Sequence, residues 1–282
     1  MITKEDAFRK VAESAEPWID DHVDVDRMVS WLDDESDDDH YSDPEKYEEQ
    51  RYSGLPGAES IRERKWENYK RAAEHVADLD GIDTVAEFAM NTGVLMEEFG
   101  EHFPGVERTG LEFRREPAEY ARDKERVENV VQADVHSVPF QPGSFDLGFF
   151  PRGTHLEAID SKEAIGQMAV ACDAVVVDFY REESVRDWMK ESLPMESNVH
   201  SQEEINDILS PYNVQYRQSD QVFPFGLRRA VKSEWLDGKY ETAQDYFSEK
   251  AREGNMLDTL GIGNTMEYAA LDTSDIDSYE DI

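Results

Sequence analysis

The sequence predicts an α/β fold, a mostly parallel sheet with helices on both faces, on three observations. Short apolar runs recur between Thr84 and Asp146 and again at residues 174–179. Stretches with helical spacing separate them. The runs end on residues able to touch a ligand, among them Glu112 and Asp134. Strands alternating with helices form parallel sheets, and these bind ligands outside the carboxyl ends of their strands.

In chain order, residues 1–32 have helical spacing, with Ala7, Val11, Trp18, Val25, Val29 and Leu32 near one face. Residues 33–49 read as a solvated acidic linker. Asp33, Glu35 and Asp37 would suit a calcium loop, but Asp38 stands where that loop needs glycine. Ser53-Gly-Leu-Pro-Gly57 is a turn, and residues 60–79 are helical with Ile61, Trp66, Tyr69, Ala73 and Val76 as the apolar stripe. The first strand starts at Thr84 and breaks into a tight turn ending on Gly93; a helix follows through Phe103. The second strand, Arg108-Thr-Gly-Leu111, ends on Glu112, about 20 residues past Gly93. The third, Val130-Val-Gln-Ala133, ends on Asp134, and the fourth is Leu147-Gly-Phe-Phe150. Residues 161–171 are a helix and residues 174–179 a β-branched fifth strand suited to the sheet centre. Ser201 and Glu204 form a capping-box signature for a helix to Leu209. Residues 213–219 alternate as a sixth strand. The connection 220–265 carries Arg228, Arg229 and a helical stretch with Trp235, Tyr240, Tyr246 and Phe247; connections this long are often functional. Residues 272–282 read as a disordered acidic tail.

Composition sets the setting. The 282 residues hold 65 Asp plus Glu against 29 Lys plus Arg (18 Arg, 11 Lys), a net charge of −36. Few lysines and carboxylates spread along the whole chain keep a protein hydrated in concentrated salt, where screening weakens self-repulsion. This is the composition of an extreme halophile's cytoplasmic protein. A negative surface argues against nucleic acid, although proteome-wide acidity in a halophile removes most of that argument's force. No apolar run is long enough to span a bilayer, and Cys172 alone makes neither a disulfide nor a multi-cysteine metal site. The 7 histidines are scattered without metal-ligand spacing.

From Thr84 to Phe179 the chain resembles the Rossmann-like, class I S-adenosylmethionine-dependent methyltransferases. Their first motif reads acidic-x-Gly-x-Gly-x-Gly; here it is Glu87-Phe-Ala89-Met-Asn91-Thr-Gly93. Glu112 matches the family's ribose-binding acid, Ala133-Asp134-Val135 its adenine-side motif, and Val138 to Leu147 its lead into the fourth strand. The resemblance implies a seven-stranded sheet closed by an antiparallel strand, for which residues 266–271 are the candidate. It implies that S-adenosyl-L-methionine is held by Glu87, Ala89, Asn91, Gly93, Glu112, Phe113, Asp134, Val135 and Phe150. Tyr52, Trp66 and Tyr69 would then form a lid or, for the latter two, pack on the sheet. Arg152 and His155 are the side chains placed to meet an acceptor, with His155 either a general base or a support for the following helix. Tyr180 and Arg181 follow the fifth strand into the cleft. Arg228 and Arg229 either hold an anionic substrate or pair with surface carboxylates. The implied layout is an N-terminal helical extension and acidic linker (1–59), a cofactor-binding core (60–219), a helical cap (220–265), and the last strand with its tail (266–282).

The expected activity is methyl transfer to a small-molecule acceptor. Ala89 and Asn91 depart from the family's glycines. A methyl group at one position narrows the pocket, whereas Asn tolerates positive φ and lets the turn keep its shape. The alternative reading is a catalytically inactive methyltransferase-like binding or regulatory protein. A nicotinamide oxidoreductase is a third, since Glu112 also suits a dinucleotide fold; an antiparallel terminal strand would exclude it.

Overall fold

A computed structural model describes residues 43–48, 58–151, 153–156, 158–181, 199–222, 264–276 and 278–279. The expected N-terminal helix, the turn at residues 53–57, Tyr52 and most of the proposed cap lie outside these residues. The chain divides into two compact units. Lys65–Glu183, Glu196–Asp220 and Met266–Ile282 make one; Met1–Arg64, Ser184–Met195 and Gln221–Thr265 make the other. In the second unit Pro44–Glu48 is a short helix (α1) where a linker was expected. Pro44 at its first position needs no N–H partner and arrives with helical φ.

The first unit is organised around seven strands: β1 (Thr84–Phe88), β2 (Glu107–Glu112), β3 (Asn129–Gln132), β4 (Leu147–Phe150), β5 (Ala174–Tyr180), β6 (Asn213–Val222) and β7 (Asn264–Asp272). Their order is β3-β2-β1-β4-β5-β7-β6. β1 pairs in parallel with β2 and β4, β2 with β3, and β4 with β5. β7 runs antiparallel to β5. Asn213 lies against Asp272 and Arg217 against Glu267, so β6 is antiparallel to β7 and again parallel to β5. The last strand therefore enters between β5 and β6 rather than at the edge. Burial explains this placement: Met266 to Leu271 are all buried and need neighbours on both sides, whereas Asn213, Val214, Gln215 and Arg217 to Ser219 on β6 are exposed and tolerate an edge.

Helices α2 (Ala58–Ala73), α3 (Val94–His102), α4 (Arg115–Asp123), α5 (Ser161–Ala171) and α6 (Gln202–Leu209) connect the strands. On one face the buried ring of Tyr69 from α2 meets Phe149 and Tyr268 edge-on, and Trp66 packs against Phe99 and Phe103. Both aromatics of α2 thus pack on the core. On the other face Phe88, Phe150, Val175, Val177 and Phe179 meet Ile165 and Met168 of α5 and Ile205 and Leu209 of α6. Asp160 caps α5 through the N–H groups of Lys162 and Glu163, and the expected capping box of Ser201 and Glu204 opens α6. α2 stops at Ala73, short of the expected residue 79, because the chain must turn before β1. Asp146, just ahead of β4, then fixes the start of β1 by accepting from the N–H groups of Asp83 and Thr84 and from the Thr84 hydroxyl.

The acidic tail differs from expectation. The Thr273 N–H donates to the Asp173 carbonyl and its hydroxyl to the Cys172 carbonyl at 2.6 Å, while Ile276 packs against the α5–α6 side of the core. One partly buried apolar side chain and paired main-chain groups outweigh the repulsion of flanking carboxylates there.

Tyr69 also donates a hydrogen bond to the carboxylate of the fully buried Asp178. Burial, and then the Asp178 charge, push the phenol pKa well up, so it stays a donor. Tyr69→Phe keeps the ring contacts and removes the donor. Denaturant titration should show a loss of about 1–3 kcal/mol, the cost of one broken buried hydrogen bond. An unchanged midpoint would mean that Asp178 does not depend on Tyr69.

Candidate functional site

The strand order reverses between β1 and β4, and such a switch point opens a crevice at the carboxyl edge. The loop leaving β1 lines it. Ala89 (φ 52°), Asn91 (φ 54°) and Gly93 (φ 74°) all adopt the left-handed conformation. These are the three positions that the resemblance aligned with glycines, and only Gly93 is a glycine here. Holding an alanine there costs about 1–2 kcal/mol, and an asparagine less. The loop is pinned to β2 by the Met90 N–H donating to the Leu111 carbonyl at 3.0 Å, and Met90 packs over Gly110, where a Cβ would lie 1.9 Å from the Met90 sulfur. α3 begins after Gly93 without a side-chain cap, so its first N–H groups are not taken up by a capping side chain.

Glu112 closes this arrangement. It is 8% exposed; Oε2 accepts the Asn91 N–H at 2.8 Å and Oε1 the Arg114 N–H at 2.9 Å. Burial raises its pKa above the ordinary 4.5 despite the opposing hydrogen bonds from Arg114 and Asn91. The Phe113 N–H acts on the same carboxylate more weakly, and of the carboxylate's roughly four acceptor positions some remain for a ligand hydroxyl. Next to it the Phe113 ring is 67% exposed, and Gln132 donates to its carbonyl at 3.1 Å. At the end of β3 Asp134 is exposed, with Oδ1 held by the N–H and ring Nδ1 of His136. The backbone bond from His136 is the main reason its pKa lies below the ordinary value.

Not every expected residue presents its side chain to the crevice. Glu87 is 2% exposed beneath the loop. Val135 and Phe150 point into the core on the α5–α6 side, so only their main chains can reach a ligand. Phe150 is covered by Gly153, where a Cβ would lie 1.7 Å from its ring. Gly153–His155 form a 3-10 turn after β4, which sets the backbone of His155; its side chain, and all of Arg152, Arg228 and Arg229, lie outside the described residues. Tyr180 ends β5, half-buried. Beyond it, Arg181 donates to the Ser219 hydroxyl at 3.2 Å and lies 3.9 Å from Glu267, which also holds Arg217.

Two residues were missed. Arg126 is buried under the loop, donating from Nη1 to the Thr92 carbonyl at 2.8 Å and pairing with Glu97 on α3 at 3.2 Å. Nothing in the sequence around it marks this role. His136 stands two residues after Asp134, the spacing at which an aspartate side chain takes a main-chain N–H, and that signal could have found it. An open groove of about 580 Å³ between Asp160 and Asp207 lies at the starts of α5 and α6 and includes none of the loop residues. Among the described residues, no group of three His, Cys, Asp or Glu side chains is placed to hold a metal. No described helix is long and apolar enough to cross a membrane.

Residues 86–169, from within β1 to near the end of α5, match the family described as a methyltransferase domain. No curated protein matches the chain. Among solved structures, the chain is similar to one from the complex between the Haloferax volcanii Trm112 methyltransferase activator and a methyltransferase. That match has 17% identity and a TM-score of 0.56, covering 83% of this chain and 95% of the other. It is also similar to geranyl diphosphate C-methyltransferase from Streptomyces coelicolor A3(2), solved with Mg2+, geranyl diphosphate and S-adenosyl-L-homocysteine. There the identity is 16% and the TM-score 0.52, over 88% and 97% of the two chains. At such identities the likeness establishes the fold, which is that of the Rossmann-like methyltransferases. The matched domain and this fold together support a class I methyltransferase.

The loop makes a direct test. Replacing both Ala89 and Asn91 by glycine removes the Cβ atoms and the left-handed strain but adds freedom to the unbound loop. The strain is already present in the unliganded loop and so bears on stability, whereas the removed Cβ atoms bear on affinity: S-adenosylhomocysteine should bind the double variant more tightly. Weaker binding in calorimetry would show that these two side chains tune the loop as it stands.

Proposed function

We propose that this protein is an S-adenosylmethionine-dependent methyltransferase acting on a small-molecule acceptor. The observation that carries the reading is the joint between Glu112 and the Asn91 N–H, with left-handed backbone at residues 89, 91 and 93. The residues present fit such a cofactor: a buried carboxylate with spare acceptor positions for two hydroxyls, a close-turning backbone, an uncapped helix start and an exposed aromatic beside them. Gly93, Ala89 and Asn91 would flank the amino-acid end above Glu87, Glu112 would hold the ribose, and Phe113, Asp134 and the Val135 main chain the adenine.

When bound, the sulfonium supplies an already activated methyl group, so the protein's task is to align the acceptor in line with it and exclude water. Tyr180, Arg152 and His155 are the proposed acceptor-side groups, with His155 taking a proton where the acceptor has one to lose. The connection 220–265 is the proposed cap, with Arg228 and Arg229 as contacts for an anionic acceptor. The antiparallel β7 speaks against a dinucleotide oxidoreductase. The acidic composition supports a halophilic, cytoplasmic setting, so measurements belong in molar potassium chloride.

Calorimetry with S-adenosylhomocysteine tests the reading. The natural chain should bind, and Glu112→Ala should lose roughly 2–5 kcal/mol, the loss of two hydrogen bonds to a charged group. No heat from the natural chain at high micromolar ligand would instead favour a methyltransferase-like protein that does not bind the cofactor.

The raised pKa of Glu112 adds a sign. Only the ionised form accepts from both hydroxyls, so affinity should fall as pH falls through a midpoint above 4.5. In the unliganded protein the effect on stability is opposite. A carboxyl with a raised folded pKa contributes stability at low pH that is lost as pH rises from 4.5 through the folded value. An affinity midpoint at or below the ordinary carboxylate value would remove Glu112 from the ribose site.

A further inference from the structure

We infer that His136 is a positioning residue: its ring locks the Asp134 carboxylate for selective recognition of an exocyclic amino group such as that of adenine, and ties that carboxylate to the start of α5. The inference rests on the cofactor reading above and extends it to a residue outside the motif series.

The ring is engaged at both nitrogens. Nδ1 lies 2.7 Å from Asp134 Oδ1, and Nε2 accepts the Asp160 N–H at 3.0 Å. An amide N–H can only donate, so Nε2 carries the lone pair and the proton sits on Nδ1, directed at Asp134. The His136 N–H donates to the same Oδ1 at 2.9 Å. Two donors on one oxygen fix the rotation of a carboxylate that is otherwise half-exposed, its side chain being 51% accessible. Oδ2 is thereby left on the other side of the carboxylate, an acceptor in a set orientation. An oriented, ionised acceptor distinguishes a donor at the ligand's 6-position from an acceptor there, because the wrong partner sets two lone pairs against each other.

The other end of the strut is structural. Asp160 is the N-cap of α5, its side chain accepting from the N–H groups of Lys162 and Glu163, and its N–H is the one that His136 receives. Asp134 follows β3 and Asp160 follows the turn after β4, so the imidazole spans the two sides of the switch point.

The experiment compares S-adenosylhomocysteine with S-inosylhomocysteine, which carries oxygen in place of the 6-amino group, by calorimetry in molar potassium chloride. The natural chain should prefer the adenosyl ligand. His136→Ala should weaken that ligand about tenfold and the inosyl ligand less than about twofold, the scale of one hydrogen bond to a charged group. His136→Asn should recover most of the preference, because its amide N–H stands near the place of Nδ1 and donates to Asp134, while its short side chain abandons the Asp160 N–H. A general structural role would lower both affinities together, with no rescue by asparagine, and that result overturns the inference. Equal affinity of the natural chain for both ligands overturns it too, leaving the cofactor reading intact; binding of neither ligand overturns both. Should His136→Ala fail to fold, the asparagine variant and the imidazole 15N spectrum decide, since a proton on Nε2 would break the strut outright.

Discussion

The hydrogen bond from the Asn91 N–H to the Glu112 carboxylate is the constraint on which the site depends. It joins the loop after β1 to the end of β2, and it works against two costs. One is the burial of a carboxylate, visible in its raised pKa. The other is left-handed backbone at Ala89 and Asn91, about 1–2 kcal/mol for the alanine. A hydrogen bond to a charged group contributes about 1.5–3 kcal/mol, enough to offset the backbone cost at one position. Arg126 on the Thr92 carbonyl and the Met90 N–H on Leu111 hold the loop from its other sides. The loop therefore holds left-handed backbone at alanine and asparagine because its surroundings over-determine it.

The chain's negative charge bears on surface and interior differently. Among the described residues most carboxylates face solvent, where salt screens their repulsion. Glu87, Glu112, Asp178 and Glu267 are buried instead. Glu112 takes backbone donors, Asp178 takes the Tyr69 hydroxyl, and Glu267 is held by Arg217 with Arg181 nearby. Glu112, Asp178 and Glu267 depend on fixed donors rather than on salt. They sit at or near the carboxyl edge of the sheet, where the strands end.

The strands were legible because a parallel sheet buries both faces and leaves continuous apolar runs, as in residues 174–179. Ser161–Ala171 was legible to the residue because Asp160 caps it and the β-branched run follows. The left-handed loop followed from its motif spacing even with alanine and asparagine in place. Pairwise placement was less accessible. That β7 lies inside the sheet, that residues 273–276 pack on the core, and that Val135 and Phe150 turn inward all depend on contacts distant in sequence. Arg126 is the clearest case: a charged residue in a charged chain, made structural only by the carbonyl that meets it.

Topology explains why the strut through His136 matters more than its two hydrogen bonds suggest. At a switch point the loops after β1 and β4 diverge to opposite faces, so donor-side and acceptor-side elements share little backbone. In the proposed reading, residues from β1, β2 and β3 would shape the donor side, and the turn after β4 with the start of α5 the acceptor side. Methyl transfer demands in-line alignment across that divide, and small displacements are costly. An imidazole that accepts from the Asp160 N–H while donating to Asp134 sets the distance between the two sides directly. Rigidity at the divide is then supplied by a side chain as well as by the backbone of the loops.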